Sequence, residues 1–413
     1  MEIINLFLYV SLLLLIFKKA PNAIFAKYIV SLWAFSAFIG LYYVESDNYR
    51  EGFHELAFLP FLYLFLCFCL LIFGFCKQKE TIKYIYYRSE NSLLIFCRFI
   101  CILALFPFVE IVYQLIDLFV SGRFILLGAN YDLVASGEAE SLVSYSKFSV
   151  LSLEFLRGFK IVGVVLFFYF LQKQKIDKLL LIGLLILSLL RAFQSISNGN
   201  RTEMMWFLIY FIGMWLLLKK TISDKGKIFM KHVFIIGAVV FGSIFVGLTI
   251  GRYIIGQGGS NEDASNAVMQ YTAEGMFSFN NSMFYEDGDL GGIATILPVM
   301  QTLGITDVTM ENRKDYVRSH MRGNPIIFYT IIGDLYNDYG FFWTPFILVI
   351  FCLIILKIKI KESMSLCNLV LISTFIYIIA NGLFYYCMKT YYTPIYGNLI
   401  FCLFANQLEN KRI

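Results

Sequence analysis

Charge is scarce in this chain. Only 15% of its 413 residues are Asp, Glu, Lys or Arg, against 59% hydrophobic, and the mean hydropathy is +0.71. A balance this apolar excludes a soluble globular domain. Cysteine supplies no scaffold either. The nine cysteines, at positions 67, 69, 76, 97, 101, 352, 367, 387 and 402, fall in or beside apolar runs and show neither metal-ligand spacing nor a disulfide pattern. Small buried residues of helices are what they resemble. There are three histidines, no low-complexity tract and no strong internal repeat. Nothing resembles an acidic metal cluster, so neither a metal nor a cofactor is expected.

What is there is a series of long apolar runs. Eleven are read as membrane spans, at 3–17, 25–44, 56–75, 92–118, 150–171, 179–196, 203–218, 232–250, 338–356, 365–385 and 394–408. A helix needs about 20 apolar residues to cross ~30 Å of hydrocarbon. The first and seventh runs are short, and the fourth is long enough to tilt. A β-barrel is excluded, because its signature is alternating segments of ~10 residues. The expected fold is therefore all-α and polytopic.

The few charges are sorted between loops. Lys18, Lys19 and Lys27, then Lys77, Lys79, Lys83 and Arg88, then Lys173, Lys175 and Lys178, occupy alternate connections. Lys219 to Lys231, Lys357 to Lys361, and Lys411 with Arg412 continue the alternation. The positive-inside rule puts these segments in the cytoplasm and, with eleven spans, the N-terminus outside. Segment 3–17 lacks a preceding basic region and reads as a retained helix, not a signal peptide. The net charge of +5 resides in the inner loops, where it suits anionic lipid and not nucleic acid.

The outer loops differ in size. Residues 45–55 are short and acidic, 119–149 mixed in charge, and 196–202 a tight hairpin; residues from about 251 to 337 form by far the longest. A loop of that length is uncommon unless it carries function or its own elements. Three regions follow: membrane helices over 1–250, the large outer loop over 251–337, and membrane helices over 338–413. Within the loop, 263–285 reads as a helix, 291–304 as apolar segment in or against the membrane, and 326–333 as a short re-entrant or interfacial run.

Arginine marks the outer face. Of twelve arginines, Arg50, Arg123, Arg201, Arg252, Arg313, Arg318 and Arg322 lie there, where lysine is sparse. A guanidinium is always charged and grips phosphate through a planar fork. Taken singly, each is ordinarily a headgroup contact or loop ion pair; as a set, Arg201, Arg252, Arg318 and Arg322 point to a lipid-linked pyrophosphate. In an extended segment, Arg318, His320 and Arg322 share a face. The two cations would then keep the imidazole neutral, as a general base requires. Asp334 and Asp338, four apart on one helix face, are further acidic candidates, with pairing to the arginines the stronger reading. Arg157, Lys160, Glu154, Glu110 and Asp117 lie within spans, where charges usually pair or line a pathway. Outer aromatics, among them Phe277, Phe279, Phe284, Tyr285, Tyr329 and Tyr336, suit stacking on sugar rings.

With these residues in view, the chain resembles the oligosaccharide repeat-unit (O-antigen type, Wzy) polymerases over nearly its whole length. The likeness rests on the many spans, the dominant outer loop in the C-terminal half and the Asn200-Arg201-Thr202 hairpin. Gly333-Asp334-Leu335-Tyr336-Asn337-Asp338-Tyr339-Gly340, leading into a span, adds to it. Arg322 and Gly333 match the family's pattern of arginine, ten residues, glycine. A second copy is missing from 119–149, where Val134 stands at the needed distance from Arg123. The resemblance implies a glycosyltransferase of a bacterial cytoplasmic membrane, working on its outer face for O-antigen or capsule. Donor and acceptor would both be polyprenyl-diphosphate-linked oligosaccharides, with a flippase and a chain-length regulator as partners. Arg201, Arg252, Arg318 and Arg322 would stabilise the leaving diphosphate, and His320 or a carboxylate, Asp334 or Asp338, would deprotonate the acceptor hydroxyl.

Two rivals share features. A ligase transferring finished glycan to a lipid core or protein would have the same architecture and an outer histidine. A flippase of lipid-linked sugar would line its spans with charge and show pseudo-symmetric repeats. The orientation itself is open to a direct check. A cysteine introduced at Ser260 is expected to react with an impermeant reagent on intact cells. Labelling only after permeabilisation would overturn the topology.

Overall fold

The computed structural model describes residues 1–46, 54–78, 81–129, 144–250, 261–285, 290–308, 329–386 and 393–410. Among them the chain is almost entirely helical. The helices are α1 (Glu2–Lys19), α2 (Ile24–Tyr43), α3 (Phe58–Cys76), α4 (Glu90–Val120), α5 (Phe124–Ala129), α6 (Lys147–Arg157), α7 (Lys160–Leu171) and α8 (Lys178–Ser197). They continue with α9 (Thr202–Leu218), α10 (Asp224–Ile250), α11 (Asn261–Asn281), α12 (Ile293–Thr302), α13 (Thr330–Ile358), α14 (Leu366–Asn381) and α15 (Thr393–Asn410). Two three-residue strands, β1 (Tyr84–Tyr86) and β2 (Ser363–Ser365), complete the elements.

This is a membrane protein. Six helices, α2, α3, α4, α8, α10 and α13, are long and apolar enough to cross a bilayer, and α7, α9, α14 and most of α15 are shorter apolar helices. Their outward faces are apolar too: Ile95, Phe99, Val109 and Tyr113 on α4 and Ile235, Ile236 and Val239 on α10 are all exposed. Lipid is the solvent that such faces require, since soluble monomers rarely expose large contiguous apolar patches.

Two expected spans differ in shape. The run 150–171 is not one helix but two, α6 and α7, interrupted at Gly158 and Phe159. Gly397 of α15 packs so tightly on the Gly158 carbonyl that an added Cβ would overlap it. The run expected from 338 begins eight residues earlier, at Thr330, and α13 is kinked at Gly340 (φ 75°, ψ −176°). That backbone geometry is open essentially to glycine alone. The kink separates a first helical segment, from Thr330, from the more apolar segment that the sequence reading took as the span.

The chain forms two compact units, each drawn from separated segments. The first comprises residues 1–80, 265–360 and 375–392. Its core is aromatic: Trp33 stacks on Phe68 with centroids 4.2 Å apart, and Tyr9 meets both rings edge-on or tilted. Residues 273–281 of α11 are buried against this core. Phe277 lies against Gly40 and the ring of Phe61, and Ser36 Oγ donates to the Thr272 carbonyl. Phe277 and Phe279 are wholly buried and Tyr329 nearly so. These rings are therefore core, not the sugar platforms their place in the sequence suggested.

The second unit comprises residues 81–264, 361–374 and 393–413. In it α8 packs along α4, α7 and α9, with α6 beside α4 and the short α5 against α10.

Loops rich in lysine hold one another. In the second unit β1 and β2 pair in parallel, Tyr84 opposite Ser363. The Gln172 amide exchanges hydrogen bonds with both backbone groups of Ile85, and Ser223 Oγ donates to the Leu171 carbonyl. Lys173 pairs with Glu90 at 2.9 Å. Burial pulls its ammonium down, but hydrogen bonds to Glu90 and Tyr169 outweigh that and hold its pKa above the ordinary lysine value. In the first unit the Gln78 amide bridges Gly74 and Ile355 carbonyls and the Ile360 N–H. At the other helix ends, lysine-poor loops make their own pairs. The Asn280 amide clasps Ala57, and Ser146 donates twice to Glu110.

The glycine contact gives a stability test. Gly397→Ala forces the α15 backbone off Gly158, and overpacking of this kind destabilises by about 1–3 kcal/mol. Its melting temperature in detergent is expected to fall by several degrees. Gly242→Ala, where an added Cβ meets nothing, should leave it unchanged.

Candidate functional site

The expected site residues fall into three groups. Arg252, Arg318, His320 and Arg322 lie outside the described residues. Asp334 and Asp338 belong to the first unit and Arg201 to the second.

Asp334 and Asp338 are both buried on α13, four apart as expected, and each engages backbone N–H groups. Asp338 Oδ1 accepts from Ala294 N at 2.9 Å and Oδ2 from Thr295 N at 2.8 Å. Gly292 N also donates to the Asp338 carbonyl. The carboxylate thus caps the N-terminus of α12 from another helix, where orphan donors and the helix dipole favour a negative charge. Asp334 Oδ2 accepts from Tyr386 N at 2.6 Å, tying the exit of α14 to α13. Just before them, Thr330 sits at φ 68°, a strained setting for a β-branched residue. Its N–H donates to the Phe384 carbonyl, and its hydroxyl oxygen accepts from Gly333 N. These are the contacts of a tightly built structural corner.

Arg201 stands at the start of α9 and is 6% exposed. The hairpin before it is closed by local hydrogen bonds. Ser195 Oγ donates to the Asn200 carbonyl, and Asn200 Oδ1 accepts from Thr202 N at 2.8 Å. Gly199 takes φ 73° after the last turn of α8, the left-handed exit that glycine provides. The guanidinium of Arg201 then lies 5.1 Å from the ring centroid of Phe245 on α10, a cation–π distance.

Other charges converge near it. Lys160, buried at the start of α7, pairs with Glu203 of α9 at 2.8 Å. Arg191 and Arg157 lie within electrostatic reach of the same Glu203 carboxylate. Arg157 also pairs with Glu154 one turn back at 3.0 Å, and Arg191 donates to Gln194. Tyr145 hydrogen-bonds Ser197 in the adjacent hairpin. Burial raises the Tyr145 phenol, partly offset by that bond and by Arg191, so at neutral pH it stays a protonated donor. Among the described residues, four basic side chains thus meet two carboxylates around the α8–α9 hairpin.

An apolar groove leads to this cluster. It encloses about 710 Å³ between α8, α9 and α10, with Leu185, Phe193, Phe207 and Phe234 among its walls. It extends along α10 from His232 to Phe245 and Val246, some ~20 Å at 1.5 Å per residue. Phe245, at one end, is the ring that carries Arg201. Among the described residues no group of His, Cys, Asp or Glu could hold a metal ion.

No known family, curated protein or solved structure matches this chain. The site therefore rests on its own chemistry, basic side chains beside an apolar groove. Sequence reading placed Arg201 at the hairpin and expected Lys160 and Arg157 to pair or to line a pathway; Lys160 pairs with Glu203 across helices. Their spacing from Arg191 and Glu203 in the chain carries no signal of the cluster. Only the packing of α6 to α10 assembles it.

The Lys160–Glu203 pair can be tested by a double-mutant cycle. Removing one partner of a buried pair typically destabilises by 3–5 kcal/mol. Lys160→Met and Glu203→Gln are each expected to lower stability strongly in detergent unfolding, and the double variant by less than their sum. Additive losses would mean that the two groups are not coupled.

Proposed function

We propose that this protein polymerises lipid-linked oligosaccharide repeat units for a bacterial surface polysaccharide. It would transfer the growing glycan from polyprenyl diphosphate to a new lipid-linked repeat at the outer face of the cytoplasmic membrane. One observation carries the reading: a long apolar groove includes Phe245 in its wall, and Arg201 is laid on that ring, with Lys160, Arg191 and Arg157 gathered about Glu203 two residues further along the chain. The groove suits a polyprenyl tail and the basic side chains its diphosphate, which as leaving group needs charge stabilisation more than an acid.

The placement rests on the eleven-span reading with lysine-rich connections inside. Within each unit, the loop contacts are compatible with that reading. The α8–α9 hairpin with Arg201 then lies outside. Arg252, Arg318 and Arg322 would add charge for a second diphosphate. His320 is the preferred base, since both Asp338 oxygens are engaged by backbone N–H groups.

A flippase is the second reading, favoured by the groove's run from His232, beside Lys231, to the opposite end of α10. Reconstitution separates the two. With purified protein and lipid-linked repeats, wild type is expected to build a ladder of products. Arg201→Ala should slow extension by about 10²–10³-fold, the loss typical of one anion-stabilising donor, with Arg201→Lys in between. Wild-type ladders from Arg201→Ala would sink the anion-clamp role. Transbilayer movement of the repeat without any ladder would assign the flippase instead.

A further inference from the structure

A second cavity lies in the first unit, remote in sequence from the groove. It encloses about 580 Å³ between the C-terminal ends of α1 and α3 and the turn after α1. Such a volume is typical of small-molecule sites, which span about 300–1,000 Å³. Leu12, Leu15, Ile72 and Phe73 form apolar walls, while Lys19 and Lys77 line the same space. Both lysines are exposed, and neither has an acidic partner among the described residues. The Lys77 ammonium lies 5.1 Å from the Phe73 ring centroid, so its stem follows the wall while its charge stays at the rim.

The surrounding frame is built. Gln78, also lining the cavity, is 9% exposed, and its amide is committed to Gly74, Ile355 and Ile360. This locks the end of α3 to α13. On the other side Lys27 Nζ donates to the Pro21 carbonyl at 2.7 Å, holding the turn closed. The cavity therefore has fixed walls, an apolar interior and two cations at the mouth.

We infer that this cavity binds an anionic glycerophospholipid of the membrane, one acyl chain against Leu15 and Ile72 and the phosphate between Lys19 and Lys77. Charge complementarity selects the occupant. An apolar slot at helix ends, opening beside two lysines on the lysine-rich side, matches a lipid of the leaflet that is rich in anionic headgroups. A free phosphate would leave the apolar walls unused, and a zwitterionic lipid would bring its own cation to the lysines. The inference depends on membrane insertion and not on the polymerase reading.

Native mass spectrometry of the detergent-purified full chain, titrated with phosphatidylglycerol or phosphatidylcholine, tests it. Wild type is expected to retain one phosphatidylglycerol more tightly than any phosphatidylcholine. Each lysine near an anionic lipid contributes about fivefold, so K19Q/K77Q should weaken that step about 25-fold. Leu15→Trp, at an exposed wall position that tolerates bulk, should also weaken it while leaving both lysines in place. Equal retention of the two lipids by wild type, or an unchanged first step in Leu15→Trp, would overturn the inference. Displacement of the lipid by millimolar inorganic phosphate would do so too, since the chain would then contribute nothing.

Discussion

Hydrocarbon offers no partner to a backbone amide, a carboxylate or an ammonium, and the architecture follows from that constraint. Among the described residues, several polar groups that would otherwise face lipid or an apolar core find partners inside the protein. Asp338 caps α12 across the first unit. Glu203 meets Lys160 between α7 and α9 in the second. Gln78, Gln172 and Asn280 use side-chain amides to complete backbone hydrogen bonds where helices end. The apolar residues are left free to face lipid, and so helices such as α4 and α10 expose large side chains without penalty.

The same constraint gives the cationic cluster its meaning. A basic residue inside a membrane helix is unfavourable by about 2.5–3.5 kcal/mol on insertion scales, and Lys160, Arg157 and Arg191 all lie on helices of the second unit. One carboxylate, Glu203, draws three of these cations together, while Arg201 is positioned separately by the hairpin and by Phe245. The outcome is an arginine set against the wall of an apolar groove, with further basic side chains held about one carboxylate. Chemically that is a place for an amphiphile with an anionic head, which is why the proposed substrate is a lipid diphosphate. The smaller cavity near Lys19 and Lys77 in the first unit repeats the theme with a plainer design: exposed lysines beside an apolar slot.

Much of this was legible in the chain. Run length and apolarity located the helices, because crossing hydrocarbon sets both. Breaks were harder to see. Gly158-Phe159 divides a run read as one span despite Glu154, Arg157 and Lys160, and packed against the break is Gly397, more than two hundred residues away. The start of α13 was placed late, since residues 330–337 include polar side chains that resemble a loop. Their polar side chains are accommodated because Asp334 and Asp338 accept backbone N–H groups of other segments. The aromatic residues of α11 show the same limit. Phe277 and Phe279 belong to a stretch that reads as outer loop, yet they fill the core of the first unit beside Gly40 and Phe61.

By itself, then, the order of residues determined the class of protein and the position of most of its helices, and it carries the expectation for the sidedness of its charge. Each of those depends on local quantities: apolar length against bilayer thickness, and lysine count in each connection. Tertiary structure alone decided which charges share a site, which carboxylates are structural acceptors and where cavities open. Those outcomes depend on side chains brought together from distant helices, and a linear sequence records no distance between them.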